Sequence, residues 1–281
     1  MGRHGHCDLG LGNLMGCVSI VRTGSVFKDQ GLKVMKRVFL LMGLSGFSLG
    51  LQAGPQINVG TVYDYLDGDK STYLKRVFNS GDSTAFVKVN ILEIVYDADG
   101  TPHEVPVKSE PGATSRDGLM ASPARLIVPA TGMQGTRLLF MGARDTERYF
   151  RVRFIPVVPE KEDEFAVSSE EREDYKKNLS AGVNVMTGFG TVFFVRPKDS
   201  RYDSVIDNGA STYRIRNNGN TSVVVDEFRN CSIKKENDCE PTTKHHIRAG
   251  KEFAFDKKPG REYRFNLVEG ASKKTLRIAS Q

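Results

Sequence analysis

The stretch Gly182–Pro197 constrains this chain more than any other. It carries no charge before Arg196 and is rich in β-branched and aromatic residues, so it reads as one long strand. Val183, Val185, Thr187, Phe189, Thr191, Phe193 and Val195 share one face by the two-residue period of a strand. The opposite face begins with Asn184, Met186, Gly188 and Gly190 and turns apolar only at Val192 and Phe194. The first half thus has one greasy face, whereas the second is apolar on both, as in a strand inside a core. A strand of about fifteen residues is far longer than the usual five or six. Such an element is either deeply buried or held for a partner.

The front of the chain belongs to a different regime. Lys36-Arg37 is a short positive region, Val38–Leu51 is uncharged and largely apolar, and Leu51-Gln52-Ala53 ends the run on a small residue. That order predicts an export signal over residues 35–53. The run is shorter than the roughly twenty residues of a membrane span, and Gly43, Gly46 and Gly50 argue against a buried helix. Residues 1–34 are Gly-rich and lack periodicity, so translation is expected to start at Met35, with residues 1–34 an artefact of the gene model. The mature chain then begins at Gly54, in an oxidising compartment.

Charge and cysteine content follow from that division. The chain has 40 Lys and Arg against 34 Asp and Glu; residues 1–53 hold six of the former and two of the latter, which leaves 34 against 32. A net charge of +2 is not that of a nucleic-acid-binding protein. Cys7 and Cys17 fall in the discarded region. Cys231 and Cys239 remain, and their spacing suits a disulfide across a hairpin-like loop better than a zinc knuckle. For so short a loop the stabilisation should fall below the roughly 3 kcal/mol estimated for fifteen residues.

From Gly54 onward, short strands alternate with turns. Ile57–Leu66, Thr72–Phe78, Ala85–Tyr96, Arg125–Val128, Thr136–Met141 and Arg148–Pro156 are expected strands, with residues 101–122 a Pro/Gly/Ser-rich loop. Within Val157–Ala181, Glu160–Glu164 and Glu170–Lys177 are dense in charge, with only Phe165, Val167 and Tyr175 to anchor them. The segment is expected to be a mobile solvated loop with at most a helical turn at Glu170–Asn178. After a linker at Lys198–Tyr202 come Thr212–Asn217, Ser222–Phe228, His245–Ile247, Glu252–Phe255, Glu262–Leu267 and Thr275–Ile278, with a turn at Asn217–Asn220 whose Asn-Gly step supplies positive φ. No long stretch has a 3.6-residue period. The fold class is all-β, with strands and turns spaced as in a sandwich. The domains are expected at 54–197 and 198–281.

Catalytic chemistry finds no support. His103 lies in a Pro-rich loop, and His245-His246 on a strand point to opposite faces, which is poor metal geometry. No Gly-x-Ser-x-Gly elbow, phosphate loop or dinucleotide fingerprint is present; Gly188-Phe189-Gly190 is a fragment. We expect no enzyme activity, no cofactor, no metal and no small-molecule substrate.

Four stretches carry a family resemblance. They are Asn58-Val59-Gly60 with Lys75-Arg76-Val77; Glu147-Arg148-Tyr149-Phe150-Arg151-Val152-Arg153-Phe154; Gly190–Pro197; and Asn218-Gly219-Asn220-Thr221 followed by Cys231 and Cys239. The chain resembles the periplasmic pilus-assembly chaperones, most of all the alternate branch serving common-pilus and CS-type fimbriae. The resemblance implies two immunoglobulin-like β-sandwich domains in an L-shaped arrangement. It implies binding of pilin subunits that lack their final strand, by a donor strand lent from domain one, and delivery to an outer-membrane usher.

The residues expected to meet the subunit are Val183, Val185, Thr187 and Phe189. An edge strand of this kind gives affinity through main-chain hydrogen bonds and specificity through alternating side chains. Left bare it invites pairing with another chain, so self-association is expected to cap it. The resemblance also implies a basic anchor for the subunit's C-terminal carboxylate. Relatives use an Arg on the first strand, but Ile57–Leu66 has no basic residue. Arg196 is the first candidate, followed by Arg151 and Lys75. An exported structural pilus or adhesin subunit is the alternative; it should carry a donor-like N-terminal extension, for which Gly54–Asn58 is too short.

Overall fold

The computed structural model describes residues 54–107, 117–180, 185–235 and 237–280. The expected export signal and leader, together with Cys7, Cys17 and Val183, lie outside the described residues.

Strands β1 (Ile57–Asn58), β2 (Tyr63–Leu66), β3 (Thr72–Asn79), β4 (Ala85–Tyr96), β5 (Pro102–Pro106), β6 (Gly118–Ser122), β7 (Arg125–Val128), β8 (Met133–Met141), β9 (Arg148–Val157) and β10 (Phe189–Val195) build a first sandwich. One sheet has the order β1-β3-β8-β6; the other runs β2-β10-β9-β4-β5, with β7 also paired to β4. Alternation decides the inner faces. Val77 on β3, Val87 on β4, Leu138 on β8, Phe150, Val152 and Phe154 on β9 and Phe193 and Val195 on β10 are buried in one cluster. Each such large apolar side chain contributes roughly 1.5–3 kcal/mol of transfer free energy.

A second sandwich follows. Strands β11 (Ser204–Asn208), β12 (Thr212–Asn217) and β15 (Glu252–Asp256) form one sheet in the order β11-β12-β15. Strands β13 (Val223–Ser232), β14 (Thr243–Ile247), β16 (Arg261–Glu269) and β17 (Ser272–Ala279) form the other, in the order β14-β13-β16-β17. Tyr213, Ile215, Val225, Tyr263 and Phe265 fill the space between. Cys231, on β13, is bonded to Cys239. The all-β class of the sequence reading holds.

Several local expectations do not hold. Ile57–Leu66 is two strands in two sheets, because Gly60 takes φ of 68° and lets the chain switch layers. Residues 102–106 and 118–122, expected as loop, are strands β5 and β6. Val157–Ala181 contains a 3₁₀ turn at Lys161–Asp163 and a three-turn helix α1 (Ser169–Ser180). The helix starts at a capping box in which Glu171 N donates to Ser168 Oγ (3.1 Å) and Ser168 N donates to Glu171 Oε2 (2.7 Å). Of the long strand expected over 182–197, the described residues form a strand at Phe189–Val195, and residues 182–184 lie outside the described residues.

Asn217–Asn220 is not a hairpin turn. β12 and β13 lie in different sheets, and Gly219 is not among the residues with positive φ. Its glycine answers a close approach instead: a Cβ there would meet Arg201 O at 2.3 Å. Buried Asn217 ties this crossover, accepting from Gly219 N (2.9 Å) and donating to Thr221 O and Ile247 O (both 2.8 Å). Asn79 performs the same task in the first sandwich. It accepts from Gly81 N (3.0 Å) and donates to Ser83 O (2.8 Å) and Val128 O (3.2 Å), with a Cβ at Gly81 only 2.3 Å from Gly54 O. The two domains therefore share one Asn-x-Gly crossover.

Candidate functional site

β10 has two neighbours of unequal length. β9 pairs antiparallel with all of it, from Phe189↔Phe154 to Val195↔Arg148. β2 pairs parallel with only its C-terminal half, from Val192↔Tyr63 to Val195↔Leu66. Among the described residues, no strand covers the β2 side of Phe189–Thr191, and 185–188 have no strand partner on either side. Phe189 still packs against the first core, whereas Thr187 is exposed and Val185 is 78% exposed. An apolar segment thus leaves the core and runs out along an open sheet edge.

Of the expected subunit-binding residues, Phe189 sits on the strand, and Val185 and Thr187 lie in the segment before it. Gly188 lets that segment pass close to β9, since a Cβ there would stand 3.1 Å from Phe154 O.

The C-terminal half of β10 meets the second domain. Phe193 and Val195 face the core, but Phe194, on the other face, stacks on His246 at 4.6 Å and on Tyr65 at 4.9 Å. The Tyr65 hydroxyl lies 2.6 Å from His246 Nε2. Burial, with help from Lys244, holds the His246 imidazole down at about 4, and burial pushes the Tyr65 phenol well above its ordinary range. Nearby, the Glu147 carboxylate accepts from Thr221 Oγ1 (2.8 Å), Ser222 N (2.9 Å), Ser222 Oγ (2.6 Å) and Tyr149 Oη (2.8 Å). The Arg248 guanidinium sits 3.4 Å from the centre of the Tyr96 ring.

The three anchor candidates are not brought together. Arg196, at the end of β10, lines a cleft of about 730 Å³ together with Tyr65, Asp67, Lys198, Tyr202 and Lys244. Its Nη1 donates to Asp67 Oδ1 at 2.7 Å, its guanidinium lies over Tyr65 at 4.9 Å, and its buried Nε has no hydrogen-bond partner. Arg151 is on the sheet surface, donating from Nε to Glu104 Oε1 at 3.0 Å. Lys75 is inside the first domain. Its ammonium donates to Thr61 O (2.6 Å) and Asp64 Oδ2 (2.7 Å), and both charged side chains are nearly inaccessible, at 4% and 1%.

Sequence reasoning missed Lys244, Lys198 and Asp67. Lys244 comes from β14 in the other domain, and nothing in the local pattern of Thr243–Ile247 singles it out. The placement of Asp67 against Arg196, 129 residues on, is a tertiary fact.

No family model matches the chain. Two curated relatives, both named probable fimbrial chaperone EcpB, do. That of Klebsiella pneumoniae strain 342 is 25% identical over 241 residues, covering 85% of this chain and 93% of the relative. That of Escherichia coli O157:H7 strain EC4115 is 26% identical over 222 residues, covering 79% and 89%. Among solved structures, the class 5 fimbriae chaperone CfaA aligns with 79% of this chain and 98% of its own, at 19% identity and a TM-score of 0.49. The sequence relatives, matched across both sandwiches and over nearly their whole length, place this chain as a homologue of the fimbrial chaperones.

Proposed function

We propose that this chain is a periplasmic chaperone for pilin subunits. It stabilises a subunit that lacks its last strand by adding the segment Val183, Val185, Thr187 and Phe189 to it, and passes the complex to an outer-membrane usher. The export signal at 35–53, the mature domains 54–197 and 198–281, and a start at Met35 belong to this reading. No chemical step is involved. The observation that carries it is the half-covered β10, whose uncovered edge continues into an exposed apolar segment. Main-chain groups on such an edge are free to pair with an added strand.

The relatives' names favour a chaperone over a structural pilus or adhesin subunit. Arg196 is the preferred anchor for the subunit carboxylate because, of the three candidates, it is the one that lines the cleft. Co-expression with a pilin subunit of the same bacterium tests the reading. The wild-type chain should hold that pilin in a soluble one-to-one periplasmic complex, and Val185→Asp or Thr187→Asp, at exposed positions, should abolish the complex while the chain stays folded and exported. Normal pilin yield with both variants would sink the donor-strand assignment.

A further inference from the structure

Sheet β14-β13-β16-β17 carries three arginines in one cross-strand row. Arg229 on β13 stands in register with Arg264 on β16, and Arg264 with Arg277 on β17. They alternate with the core residues Tyr263, Phe265 and Ile278 and so share the face turned away from the core. Neighbouring strands lie about 4.8 Å apart, so the three side chains rise from a line about 10 Å long. Like charges set directly opposite one another destabilise a sheet. Arg264 is paired with Glu262, but among the described residues the side chains of Arg229 and Arg277 have no ion-pair or hydrogen-bond partner, and both are exposed. The other acids nearby are engaged: Asp226 with Lys244 at 3.1 Å, and Glu227 with Asn266 Nδ2 at 2.7 Å.

The backbone of β13 is bent to make this row. Val224 and Asp226 point outward, and uninterrupted alternation would send Phe228 outward with them and turn Arg229 into the core. Instead β13 inserts one residue between Asp226 and Arg229, which stand opposite Asn266 and Arg264. Glu227, within the bulge, takes φ of 53°, in the left-handed region that a residue other than glycine adopts only when its surroundings impose it. Phe228 accordingly packs against the second core, and Arg229 joins the outer face.

That face is also a wall of the cleft. Val224, Asp226, Lys244 and Val268 line the space together with Arg196. The arginine row follows on the same face, about 14 Å further along β16 from Val268. On an open sheet face, a line of this length suits a row of acidic side chains on another folded surface better than a single small anion. We propose that Arg229, Arg264 and Arg277 form a contact surface for acidic side chains on the pilin subunit held at the cleft. This rests on the reading of β10 and the cleft given above. Charges at the rim of an interface act mainly on the association rate, and salt screens their effect.

The test follows association of a purified pilin subunit of the same bacterium with the full mature chain at about 0.01 M and about 1 M salt, alongside denaturation midpoints. Arg229→Gln/Arg277→Gln should slow association roughly tenfold at low salt, converge on wild type at high salt, and keep or raise the midpoint because the opposed charges are gone. Arg229→Glu/Arg277→Glu should slow association further, although its cross-strand pairs with Arg264 are now favourable. Wild-type rates and salt dependence in both variants would overturn the proposal. So would a fall in midpoint that tracks the loss of binding, which marks the arginines as structural. Binding of the wild-type chain to vesicles of anionic phospholipid that both variants lose, with pilin kinetics unchanged, would overturn it in favour of a membrane surface. Unchanged pilin binding by Val185→Asp would instead overturn the donor-edge reading on which it rests.

Discussion

The hydroxyl of Tyr65 and Nε2 of His246 lie 2.6 Å apart, and each belongs to a different sandwich. Phe194, Tyr63 and Tyr65 enclose the imidazole, with Phe194 stacked on it at an interplanar angle of 21°. Adjacent residues on β14 point to opposite faces, so His245 packs on Phe253 and Phe228 within its own domain while His246 reaches across. The apolar second face of β10 is thus given over to the junction between domains.

That junction should respond to acid. Burial lowers His246 from its ordinary value of 6.5 to about 4. Above pH 6.5 neither the folded nor the unfolded chain protonates it, and its contribution is fully present. Between pH 6.5 and 4 the unfolded chain takes up the proton and the folded one does not, so stability falls as pH falls, then levels off below 4. The full span corresponds to about 3 kcal/mol. Denaturant titrations at pH 7.5, 5.5 and 4.5 on wild type and His246→Phe should show the smaller loss in the variant; parallel losses would remove the histidine from the account.

Glu147 is the polar half of the same junction. Replacing it with Ala leaves Ser222 N–H and the hydroxyls of Thr221, Ser222 and Tyr149 without their acceptor, at a cost of about 1–3 kcal/mol. Thermal unfolding of Glu147→Ala should separate into two transitions, one per sandwich, with faster proteolysis at the Lys198–Tyr202 connection. A single unshifted transition would show that the three contacts from Thr221 and Ser222 do not couple the domains.

Lys75 and Asp64 form a buried pair, completed by donation from Tyr73 Oη and Thr61 Oγ1 to Asp64 Oδ1 (both 2.8 Å). Lys75→Met alone should destabilise the first domain by about 3–5 kcal/mol, because an uncompensated carboxylate is left inside, while Lys75→Met/Asp64→Leu should recover much of that. If the folded double variant still binds pilin with wild-type affinity, Lys75 is structural; loss of binding in that folded protein would make it the anchor after all.

Arg196 offers the contrasting case. Charge-assisted hydrogen bonds contribute about 1.5–3 kcal/mol, so Arg196→Lys should weaken binding of a pilin C-terminal peptide roughly tenfold or more. The same peptide with an amidated C-terminus should bind wild type and variant alike. Lys244→Met, across the cleft, should give a smaller loss. Equal sensitivity of acid and amide peptides to Arg196→Lys would place the carboxylate elsewhere. Calorimetry with the two peptides reads each case directly.

The sandwich faces were legible because a period of two is a local property. Val77 against Arg76, and Phe154 against Arg153, can be sorted by counting. Helix α1 was not legible: its charged sequence has no apolar stripe, and it is placed by single rings, Phe165 and Tyr175, on a Phe86 some eighty residues earlier. The turn signal at Asn217–Asn220 was read correctly as a break in the strands, but the positive φ expected of its Asn-Gly step is absent, because the glycine there answers a close approach to Arg201 from a distant part of the chain.

The sequence by itself determined the all-β class, the pairing of Cys231 with Cys239, the inner face of β10 and an apolar segment before it suited to a partner. Alternation, composition and short spacing are all written along the chain. Only the tertiary structure decided that β2 covers half of β10, that Phe194 and Glu147 join the domains, that Lys75 is enclosed and that Arg196 faces the cleft. Those facts depend on strands brought together from distant positions, and burial and pairing across such distances leave no mark in the local pattern.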